Sequence, residues 1–564
     1  MSIYVGMANN NFSEVSTLST ESFDYVIVGG GSAGCVLAAR LSENPAVRVL
    51  LLEAGGSDAS PLIKAPGGLL PIMLSGAYQW RYTSVPQVHL NNRVLYLPRG
   101  RVLGGGSSIN GMTYCRGFAS DYERWAEQGN RGWSYRDVLP YFNRAETYLP
   151  QSTQPDANAY HGASGPIQVS RPGIKHPLAL AFVEAGTQAG YPYTSDSNGA
   201  QREGIAPIDV TIGRGIRSST SRAYLAPARS RVNLQVITHA HATRVVLEGQ
   251  RAVGVEFVQG KTKETRVIRA EREVILTAGA INSPQLLLLS GIGDPAHLAQ
   301  HNIAVRHALP GVGANLQDHL AVVVKFAATK PVSLMKYFNP LHGALAMINY
   351  LALRKGPLAD PGMEVCAFLK SNPDISEADV KMILVMALYA NNGRTLTTRH
   401  GFAAHTNVIR PLSRGSIKLA SSDPFAPPLI DQNYLADEHD RRIARDSVRI
   451  ARDIFSQHAF DIYRGEELEP GNALRTDAEI DAFIRDKAEA DYHSIGTCRM
   501  GSDEMSVVDD ELRVRGIDGL RVVDASIMPH LVGGNTNMPV IMIAEKAADI
   551  IGGVAPLPPA NLRA

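Results

Sequence analysis

This sequence is short of cysteine, tryptophan and net charge, and each shortage excludes a class of protein. Four cysteines among 564 residues, with no C-x-x-C pair, exclude a disulfide scaffold and a zinc ribbon. Because 55 basic residues are balanced by 54 acidic ones, the charge does not predict nucleic acid as a partner. Every apolar run is broken well before the roughly 18 residues that a transmembrane helix needs. We therefore expect a globular protein with reduced thiols, no bound metal and a cytoplasmic location.

The length and the first segment of the chain bear on its organisation. A chain of 564 residues exceeds one ordinary hydrophobic core, which predicts two domains or one large composite domain. Residues 1–22, MSIYVGMANNNFSEVSTLSTES, lack the basic and apolar segments of a signal peptide. They predict a flexible polar leader.

A glycine motif follows the first predicted strand, in FDYVIVGGGSAGCVLAARLSENPAVRVLLLE (23–53). Gly29 permits a tight turn, Gly31 lets backbone N–H groups approach a pyrophosphate, and Gly34 allows a helix to pack closely on the strand. Glu53 ends the next predicted strand, 19 residues after Gly34, where a carboxylate binds ribose hydroxyls. The order of strand, glycine loop, helix, strand and acid predicts a dinucleotide site, for either NAD or FAD.

A second glycine loop lies in PRGRVLGGGSSINGMTYCRG (98–117). Gly104–Gly106 and the two serines after them expose backbone N–H donors, which suits a phosphate or a flat ring. A flexible surface linker is the alternative, but a linker would have a more monotonous composition. The side chains that give this loop its specific character are Arg99, Arg101, Asn110, Tyr114 and Arg116.

Two long stretches resemble the signature motifs of the glucose–methanol–choline (GMC) family of flavin oxidoreductases. They are GRVLGGGSSINGMTYCRGFASDYE (100–123) and GAINSPQLLLLSGIG (279–293). The segments 121–142, 311–320 and 519–551 are similar to the same family, so the resemblance runs from Phe23 to Ile551. It is closest to the choline-dehydrogenase-like members and to those that oxidise aryl and small alcohols.

The resemblance implies an α/β fold in which a Rossmann-like FAD-binding domain is interleaved with an α+β substrate-binding domain built on an antiparallel sheet. The FAD-binding domain would comprise residues 23–159, 216–319 and 481–564. The substrate-binding domain would comprise residues 160–215 and 320–480. Residues 233–258 agree with this organisation because they alternate like two strands joined by a turn at Glu248–Gly249.

The resemblance also implies FAD rather than NAD. Some members of the family attach FAD through a histidine at the position of Ile109, and isoleucine cannot form that bond, which implies non-covalent FAD. The residues that the resemblance and the glycine motif place at the cofactor are Gly29, Gly31, Ser32, Ala33, Gly34, Glu53, Ala54, Trp80, Arg99, Val102, Leu103, Gly104, Ser108, Asn110, Gly111, Met112, Thr113, Ala242, Ala278, Asp524, Ala525, Asn535, Thr536 and Asn537.

Oxidation of an alcohol requires a hydride acceptor, here N5 of the flavin, and a base that takes the hydroxyl proton. Histidine, with an unperturbed pKa of about 6.5, suits that base. The family pairs a histidine with a later His or Asn. This pairing implies His493, in DYHSIGTCRMG (491–501), as the base and Asn535 as its hydrogen-bond partner.

The function implied is oxidation of a primary alcohol to an aldehyde by a FAD-dependent alcohol dehydrogenase or oxidase. The substrate would be a small-molecule alcohol. Small aromatic or aliphatic alcohols rank above choline, which stays an alternative, because no aromatic cage for a quaternary ammonium is evident. The electron acceptor would be oxygen or a quinone-type carrier, and the oligomeric state is open. The alternative is a lyase like the hydroxynitrile lyases, which keep FAD and the histidine without net redox chemistry, or another non-redox enzyme of the GMC fold.

Three further features carry expectations of their own. Asn537, before Met538-Pro539, predicts the N-cap of a helix whose dipole would favour negative charge on a reduced flavin. Glu364 and His530 are candidates for contact with the substrate. The segment SLMKYFNPLHGALAMINYLALRKGPL (333–358) spaces its apolar residues helically, which is more typical of a core or cavity wall than of a membrane anchor.

Overall fold

The computed structural model describes residues 21–150, 157–260, 264–338, 340–391, 393–397 and 399–562. Within them the chain forms two seven-stranded sheets, and each sheet contributes to its own hydrophobic core. The predicted leader lies outside these ranges apart from its last two residues. In the described part of the chain, every helix is too short or too polar to cross a bilayer.

The α-helices and strands of the described residues are numbered in chain order. The helices are α1 Ser32–Leu41, α2 Pro61–Lys64, α3 Leu69–Ser75, α4 Gly106–Ile109, α5 Ala119–Glu127, α6 Tyr135–Ala145, α7 Ala157–Tyr160, α8 Pro177–Gln188, α9 Ala226–Ala228, α10 Gly279–Leu289, α11 Pro295–Gln300, α12 Pro340–Leu353, α13 Glu438–Ser456, α14 Asp477–Lys487 and α15 Asn537–Gly552. Shorter helical turns lie at Pro66–Gly68, Val88–Leu90, Ser221–Leu225, Leu334–Phe338, Pro357–Ala359, His458–Phe460 and Ala525–Ile527.

The strands are β1 Ser22–Val28, β2 Val49–Glu53, β3 Gln79–Thr83, β4 Tyr96–Gly100, β5 Glu146–Tyr148, β6 Ile167–Val169, β7 Gly204–Pro207, β8 Ile212–Gly213, β9 Ile216–Arg217, β10 Leu234–Thr238, β11 Ala240–Glu248, β12 Arg251–Gln259, β13 Glu264–Leu276, β14 Ile292–Gly293, β15 His307–Ala308, β16 Leu320–Ala328, β17 Val365–Leu369, β18 Val380–Val385, β19 Tyr389–Ala390, β20 Thr395–Leu396, β21 Gly401–Val408, β22 Ser416–Lys418, β23 Leu429–Asp431, β24 Arg464–Glu469, β25 Glu489–Ala490 and β26 Leu520–Val522.

The first sheet begins as the sequence predicts, with the strand β1, the glycine loop, the helix α1 and the strand β2. Its order is β10-β2-β1-β13-β12-β11, and β26 pairs with β13 on the same side as β12. β13 is parallel to β1 from Arg269 to Leu276 and antiparallel to β12 from Glu264 to Arg269. β2 is buried at every position, as expected of a central parallel strand. These pairings confirm the Rossmann-like α/β domain, and the predicted turn at Glu248–Gly249 joins β11 to β12.

Helix α1 lies against α15, the last helix of the chain. Ser32 Oγ donates to Asn537 Oδ1 at 2.8 Å, across 505 residues of sequence. Further along the two helices, Arg40 makes a bidentate pair with the buried carboxylate of Glu545, at 2.9 Å from Nη2 to Oε1 and 3.0 Å from Nε to Oε2. The glycine loop at the start of α1 is therefore completed by the end of the chain.

The second sheet is antiparallel, in the order β24-β16-β21-β18-β17-β7, with β25 beside β16. Helices α8 and α13 pack on one face of it. Along β18, Val380, Met382 and Leu384 lie in the core beneath these helices, so the residues between them face the opposite side. The antiparallel sheet is confirmed, whereas the domain boundaries given above stay a prediction.

The expectation of a core or cavity wall for residues 333–358 is confirmed for one side of the segment, where Leu334, Gly343 and Ala346 line a large cavity, and the other side is exposed. The segment forms α12, but only Ala346 and Tyr350 are buried among the apolar residues described in that helix, while Leu345, Ile348 and Leu351 are 57, 62 and 61% exposed. Large aliphatic side chains dominate the exposed side, but residue size does not separate the two sides, because Tyr350 is buried while Ala344 and Ala352 are exposed. A sequence with apolar residues all round a helix predicts the helix without indicating which side is covered.

Candidate active site and cofactor cavity

The two glycine loops of the sequence meet at the carboxyl end of β1. The backbone N–H of Gly104 donates to the carbonyl oxygen of Gly30 at 2.7 Å. A Cβ on Gly105 would lie 2.7 Å from the Cα of Gly31, and its φ of +50° with ψ of −127° also requires glycine. The loops therefore form one continuous backbone surface, which is the cradle that a pyrophosphate needs.

Glu53 lies at the end of β2, beside the first loop. Its carboxylate accepts the backbone N–H of Gly30 at 2.8 Å and that of Gly55 at 2.7 Å. Burial raises the pKa of Glu53 to about 7, against the effect of these two N–H donors. An acid at this position fits the ribose hydroxyls of a dinucleotide, as the sequence predicts.

Two adjoining cavities run from Glu53 to His493. The smaller, of about 90 Å³, is lined by Glu53 and Ala242, and the larger, of about 1180 Å³, by His493 and Asn535. Residues that line both include Gly31, Trp80, Gly100, Gly105, Thr277, Ala278 and Asn282. An elongated cavity with an acid at one end, glycine loops in the middle and a histidine at the other end fits FAD.

Most of the predicted cofactor residues line these cavities. They are Gly29, Gly31, Ser32, Ala33, Glu53, Ala54, Trp80, Arg99, Asn110, Gly111, Met112, Thr113, Ala242, Ala278, Asp524, Ala525, Asn535, Thr536 and Asn537. Five others lie behind the lining, where they pack the loops: Gly34, Val102, Leu103, Gly104 and Ser108. Ile109 also lines the larger cavity.

The loop that carries His493 is held by one buried carboxylate. Asp318 accepts the backbone N–H of His493 at 2.6 Å and the hydroxyl of Ser494 at 3.0 Å. Arg99, from the second glycine loop segment, donates to the same hydroxyl at 2.6 Å. Ser494 thus links the loop that carries His493 to the second glycine loop segment, and this contact helps to position His493.

The hydrogen bonds of His319 determine which nitrogen of His493 is the acceptor. His319 Nε2 lies 3.2 Å from the carbonyl oxygen of Ile409, which can only accept, so Nε2 carries the hydrogen. Burial and the neighbouring His493 ring hold the pKa of His319 well below its ordinary value, so His319 is neutral and its Nδ1 is an acceptor. His493 Nδ1 lies 3.0 Å from that atom and therefore carries a hydrogen. In neutral His493 the free lone pair is then on Nε2.

Asn535 faces this lone pair. Its Nδ2 lies 3.0 Å from His493 Nε2. On the other side, the ammonium of Lys381 donates to Asn535 Oδ1, which fixes the amide in the orientation that presents its N–H to the histidine. Lys381 lies on β18 between the core residues Val380 and Met382, and only 2% of it is exposed.

The sequence analysis does not single out Lys381, since a lysine next to apolar strand residues gives no functional signal. Alternation along β18 is the one clue, because it places this lysine on the face opposite the core. Arg202 and Lys381 together hold the pKa of the buried Cys115 thiol below its ordinary value, although burial opposes them. The four cysteines are free, as predicted, and the structure shows that all four are buried.

Asp491 continues the network on the far side of the ring. His493 Nδ1 lies 3.1 Å from Asp491 Oδ2, and His405 Nε2 lies 3.2 Å from Asp491 Oδ1. The hydroxyl of Tyr389 is 2.8 Å from His405 Nδ1. Despite burial, the two histidines hold the pKa of Asp491 well below its ordinary value, so it is a carboxylate. Asp491, His405 and Tyr389 line the cavity. The sequence analysis does not single them out, because the contacts of His405 join separate segments and a carboxylate two residues before a histidine gives no signal of its own.

His319, Asp491 and His493 also bring three possible metal-ligand atoms within 4.8 Å of one another. The hydrogen bonds just described account for these contacts without an ion. The sequence-based expectation of no bound metal stays a prediction.

The last segment of the chain reaches the cavity through Asp524 and the start of α15. Asp524 accepts the N–H of Gly279 at 2.9 Å and the hydroxyl of Ser283 at 2.6 Å, and burial raises its pKa. The predicted N-cap is displaced by one residue: Thr536 occupies that position and Asn537 is the first residue of α15. Asn537 fails to cap because its side-chain oxygen accepts the hydroxyl of Ser32 instead.

The two candidate substrate residues differ in position. Glu364 lines the larger cavity, where its Oε2 accepts the backbone N–H groups of Lys175 and His176 at 2.7 and 2.8 Å. His530 is not among the residues that line either cavity in the described part of the chain. Its ring contacts Gln128, and burial together with nearby arginines lowers its pKa to about 4.

The Rossmann-like sheet, the double glycine cradle and a polar network at the far end of the cavity define a flavin-dependent oxidoreductase. The chain belongs to the GMC oxidoreductase family. Models of the N-terminal and C-terminal parts of that family match residues 23–321 and 411–544.

Similar proteins cover nearly the whole chain. The oxygen-dependent choline dehydrogenase of Sinorhizobium medicae is 46% identical over 95% of this chain and 97% of its own length. The mitochondrial choline dehydrogenase of Homo sapiens is 47% identical over 95% of this chain and 90% of its own. Among solved structures, pyridoxine 4-oxidase from Mesorbium loti has a TM-score of 0.84 at 32% identity, over 93% of this chain and 98% of that one. Formate oxidase from Aspergillus oryzae has a TM-score of 0.88 at 27% identity, over 95% and 98%.

These relatives establish the chemistry in outline. The chain is a FAD-dependent enzyme that oxidises a CH–OH substrate. The relatives named above are oxidases and dehydrogenases, and none of their names supports the lyase alternative.

Proposed function

We propose that the enzyme oxidises a primary alcohol to an aldehyde, with His493 Nε2 as the base and Asn535 as its hydrogen-bond partner. The observation that carries this proposal is the hydrogen-bond order through His319, His493 and Asn535, which leaves the lone pair of a neutral ring on Nε2, in the cavity. Bound FAD would supply a hydride acceptor at the flavin ring.

The residues of the chain would hold the substrate and move its proton. The alcohol hydroxyl replaces the Asn535 N–H as the donor to His493 Nε2, and the amide, which Lys381 holds at its oxygen, donates its N–H to the alcohol oxygen and aligns it. As His493 takes the proton, its ring becomes positive. Asp491, 3.1 Å from Nδ1, stabilises that charge, while His319 stays neutral and keeps the ring in place.

For the cofactor, the glycine loops would hold the pyrophosphate and Glu53 the ribose. Non-covalent binding is supported by Ile109, whose side chain lines the cavity and carries no group that bonds to a flavin. The start of α15 also lies at the cavity, which supports the idea that its N-terminal dipole favours negative charge on the ring.

The substrate that the cavity favours is a small aliphatic or aromatic alcohol. This view is supported by a lining rich in apolar side chains, among them Met73, Leu334, Met363, Ile383, Val385 and Leu388. Choline is the second candidate, since relatives near half identity are choline dehydrogenases and the carboxylates of Asp360 and Glu364 line the same cavity.

The test is reduction of the bound flavin without oxygen. We expect a panel of primary alcohols that includes benzyl alcohol, hexanol and choline to bleach the flavin absorbance, with the neutral alcohols faster than choline. No bleaching by any alcohol, together with cleavage of a cyanohydrin, would overturn the proposal. Mixing the reduced enzyme with air or with a quinone analogue then identifies the acceptor, which we propose is oxygen or a quinone-type carrier.

We also propose a cytoplasmic location, an FAD-binding domain of residues 23–159, 216–319 and 481–564, and a substrate-binding domain of residues 160–215 and 320–480. Four free, buried cysteines support a reducing compartment. Fractionation of cells that make the protein tests the location.

A further inference from the structure

His405 lies on the face of the antiparallel sheet that is turned toward the larger cavity. In β21 it is paired with Ile383 of β18 and with Val323 of β16, so the three side chains share one face. His405 and Ile383 both line the cavity. Two aliphatic neighbours on the sheet cannot satisfy the polar atoms of an imidazole, so its partners come from other segments.

Two polar groups hold the ring of His405. Its Nε2 lies 3.2 Å from Asp491 Oδ1, and its Nδ1 lies 2.8 Å from the hydroxyl of Tyr389. Because a carboxylate can only accept, Nε2 carries a hydrogen and donates it to Asp491. In the neutral ring, Nδ1 is then the acceptor of the Tyr389 hydroxyl. These two bonds occupy both ring nitrogens and fix the ring in one orientation.

The same two bonds exclude His405 as a second base for the alcohol. Its neutral ring has no free lone pair, because Nε2 carries the hydrogen and Nδ1 accepts from Tyr389. His493 differs, since the lone pair on its Nε2 faces Asn535 in the cavity. Any contribution of His405 to the reaction therefore passes through Asp491.

Asp491 joins the two histidines with its two carboxylate oxygens. Its Oδ1 is the acceptor of His405, and its Oδ2 lies 3.1 Å from His493 Nδ1. His493 Nδ1 has a second acceptor, Nδ1 of the neutral His319, at 3.0 Å. Of these two acceptors, the carboxylate alone carries a charge that stabilises the positive ring after proton transfer. The orientation of the Asp491 carboxylate therefore determines how well the protonated base is stabilised.

We infer that His405, supported by Tyr389, is a positioning residue for the oxidation, because it holds the Asp491 carboxylate with Oδ2 toward His493. This inference rests on the proposed role of His493 as the base. Without the His405 N–H, one oxygen of a largely buried carboxylate loses its donor, and the group turns to regain one. Oδ2 then moves away from His493 Nδ1, and proton transfer becomes slower. Binding of the alcohol changes little, since it depends on the opposite edge of the His493 ring.

The experiment is anaerobic stopped-flow reduction of the full-length, FAD-loaded enzyme, with whichever of benzyl alcohol, hexanol and choline reduces the parent fastest. His405→Leu should lower the limiting rate by roughly tenfold, the scale of one hydrogen bond to a charged group. The alcohol concentration that gives half of this rate should stay within about twofold of the parent value. His405→Gln keeps an N–H donor near the position of Nε2 and should recover most of the loss.

Asp491→Asn completes a double-mutant cycle. If His405 acts through Asp491, His405→Leu should lower the rate by less than about twofold once Asp491 has been replaced. A role of His405 in packing alone would give the same fold-loss in both backgrounds. The inference is overturned if His405→Leu reduces the flavin at the parent rate, or if the two losses multiply.

FAD content and melting temperature identify a variant that fails to fold. Tyr389→Phe, which deletes one oxygen atom, serves in the same cycle if His405→Leu does not fold, and it should lower the rate by about threefold. The matched control is His458→Leu. It removes a histidine from a similar pair with Asp461 at the protein surface and should leave the rate unchanged.

His493→Ala separates this inference from the proposed function. If His493→Ala reduces the flavin at the parent rate, the base assignment is wrong and the inference fails with it. If His493→Ala is slow while His405→Leu matches the parent, the base assignment stands and the role of His405 alone is overturned.

Discussion

Lys381 donates a hydrogen bond to the side-chain oxygen of Asn535, a residue 154 positions further along the chain. Lys381 lies on β18 of the antiparallel sheet, and Asn535 lies just before α15, which packs with the Rossmann-like sheet. The bond orients the amide toward His493. The orientation of the Asn535 amide therefore depends on a contact between a strand of the antiparallel sheet and the segment before α15.

This bond predicts different outcomes for two substitutions of the lysine. Lys381→Met removes the donor, frees the amide to rotate and should slow flavin reduction by roughly 10- to 100-fold, the worth of one hydrogen bond to a charged group. Lys381→Gln keeps a neutral donor on a side chain one bond shorter and should slow reduction less than the Met variant does. Anaerobic stopped-flow measurements test both.

FAD content and melting temperature serve as controls for the Lys381 variants. Equal rates for the Met variant and the parent would show that the amide needs no orientation. If Gln is as slow as Met while both keep FAD, the charge of the lysine matters and its hydrogen bond does not.

We expect His493 to be essential for reduction of the flavin and dispensable for binding of FAD. His493→Ala should retain FAD, because the glycine loops and Glu53 are untouched, and should lose at least about 10²-fold in the reductive rate. His530→Ala is the matched control, since that ring lies outside the cavity lining and its loss should leave the rate unchanged. A His493 variant that reduces at the parent rate would contradict the assignment of the base.

Glu53 makes the affinity for FAD depend on pH. Its pKa is raised to about 7 by burial, and ribose hydroxyls donate to its ionised form, so binding favours the carboxylate. Below pH 7 the Glu53 carboxyl of the free protein is mostly protonated, so it must lose this proton when FAD binds. The affinity of the deflavinated protein should therefore fall toward low pH, by at most about tenfold per unit, and level off above pH 7.

Fluorescence titration with FAD between pH 5.5 and pH 8 measures this dependence. Glu53→Gln cannot titrate there and should bind more weakly with a flat profile. A parent profile as flat as that of the Gln variant would rule out Glu53 as the titrating group.

Non-covalent attachment predicts that acid releases the flavin. Because Ile109 offers no bonding atom, precipitation of the protein should leave all of the yellow colour in the supernatant. Fluorescence of the protein band on a denaturing gel would reveal a covalent link to another side chain and would refute the prediction.

The sequence predicts the cofactor half of this site better than the catalytic half. Gly29, Gly31, Gly34 and Glu53 follow one another within one unit of strand, loop, helix and strand. Their spacing alone therefore predicts a nucleotide site. His493 and Asn535 were found through their family resemblance, because the chain brings them together only after both sheets are formed.

Lys381, His319 and Asp491 escape sequence reasoning for a physical reason. Lys381 and His319 act through partners from distant segments, and no local pattern records such a contact. Asp491 lies two residues before His493, but a carboxylate in a polar loop is common, so this spacing alone gives no signal. The helix α12 shows the reverse limit. Its apolar pattern predicts a helix, but the side that is covered depends on neighbours that the pattern does not contain.

The pairing of α1 with α15 sets the order in which a newly made chain becomes an enzyme. The first glycine loop leaves the ribosome early, but Asn537 and Glu545, which contact Ser32 and Arg40, come more than 500 residues later. During synthesis the nucleotide site thus stays incomplete until α15 has been made, and α1 lacks the helix that covers it. We therefore expect FAD to bind only after α15 has been released and has packed on α1.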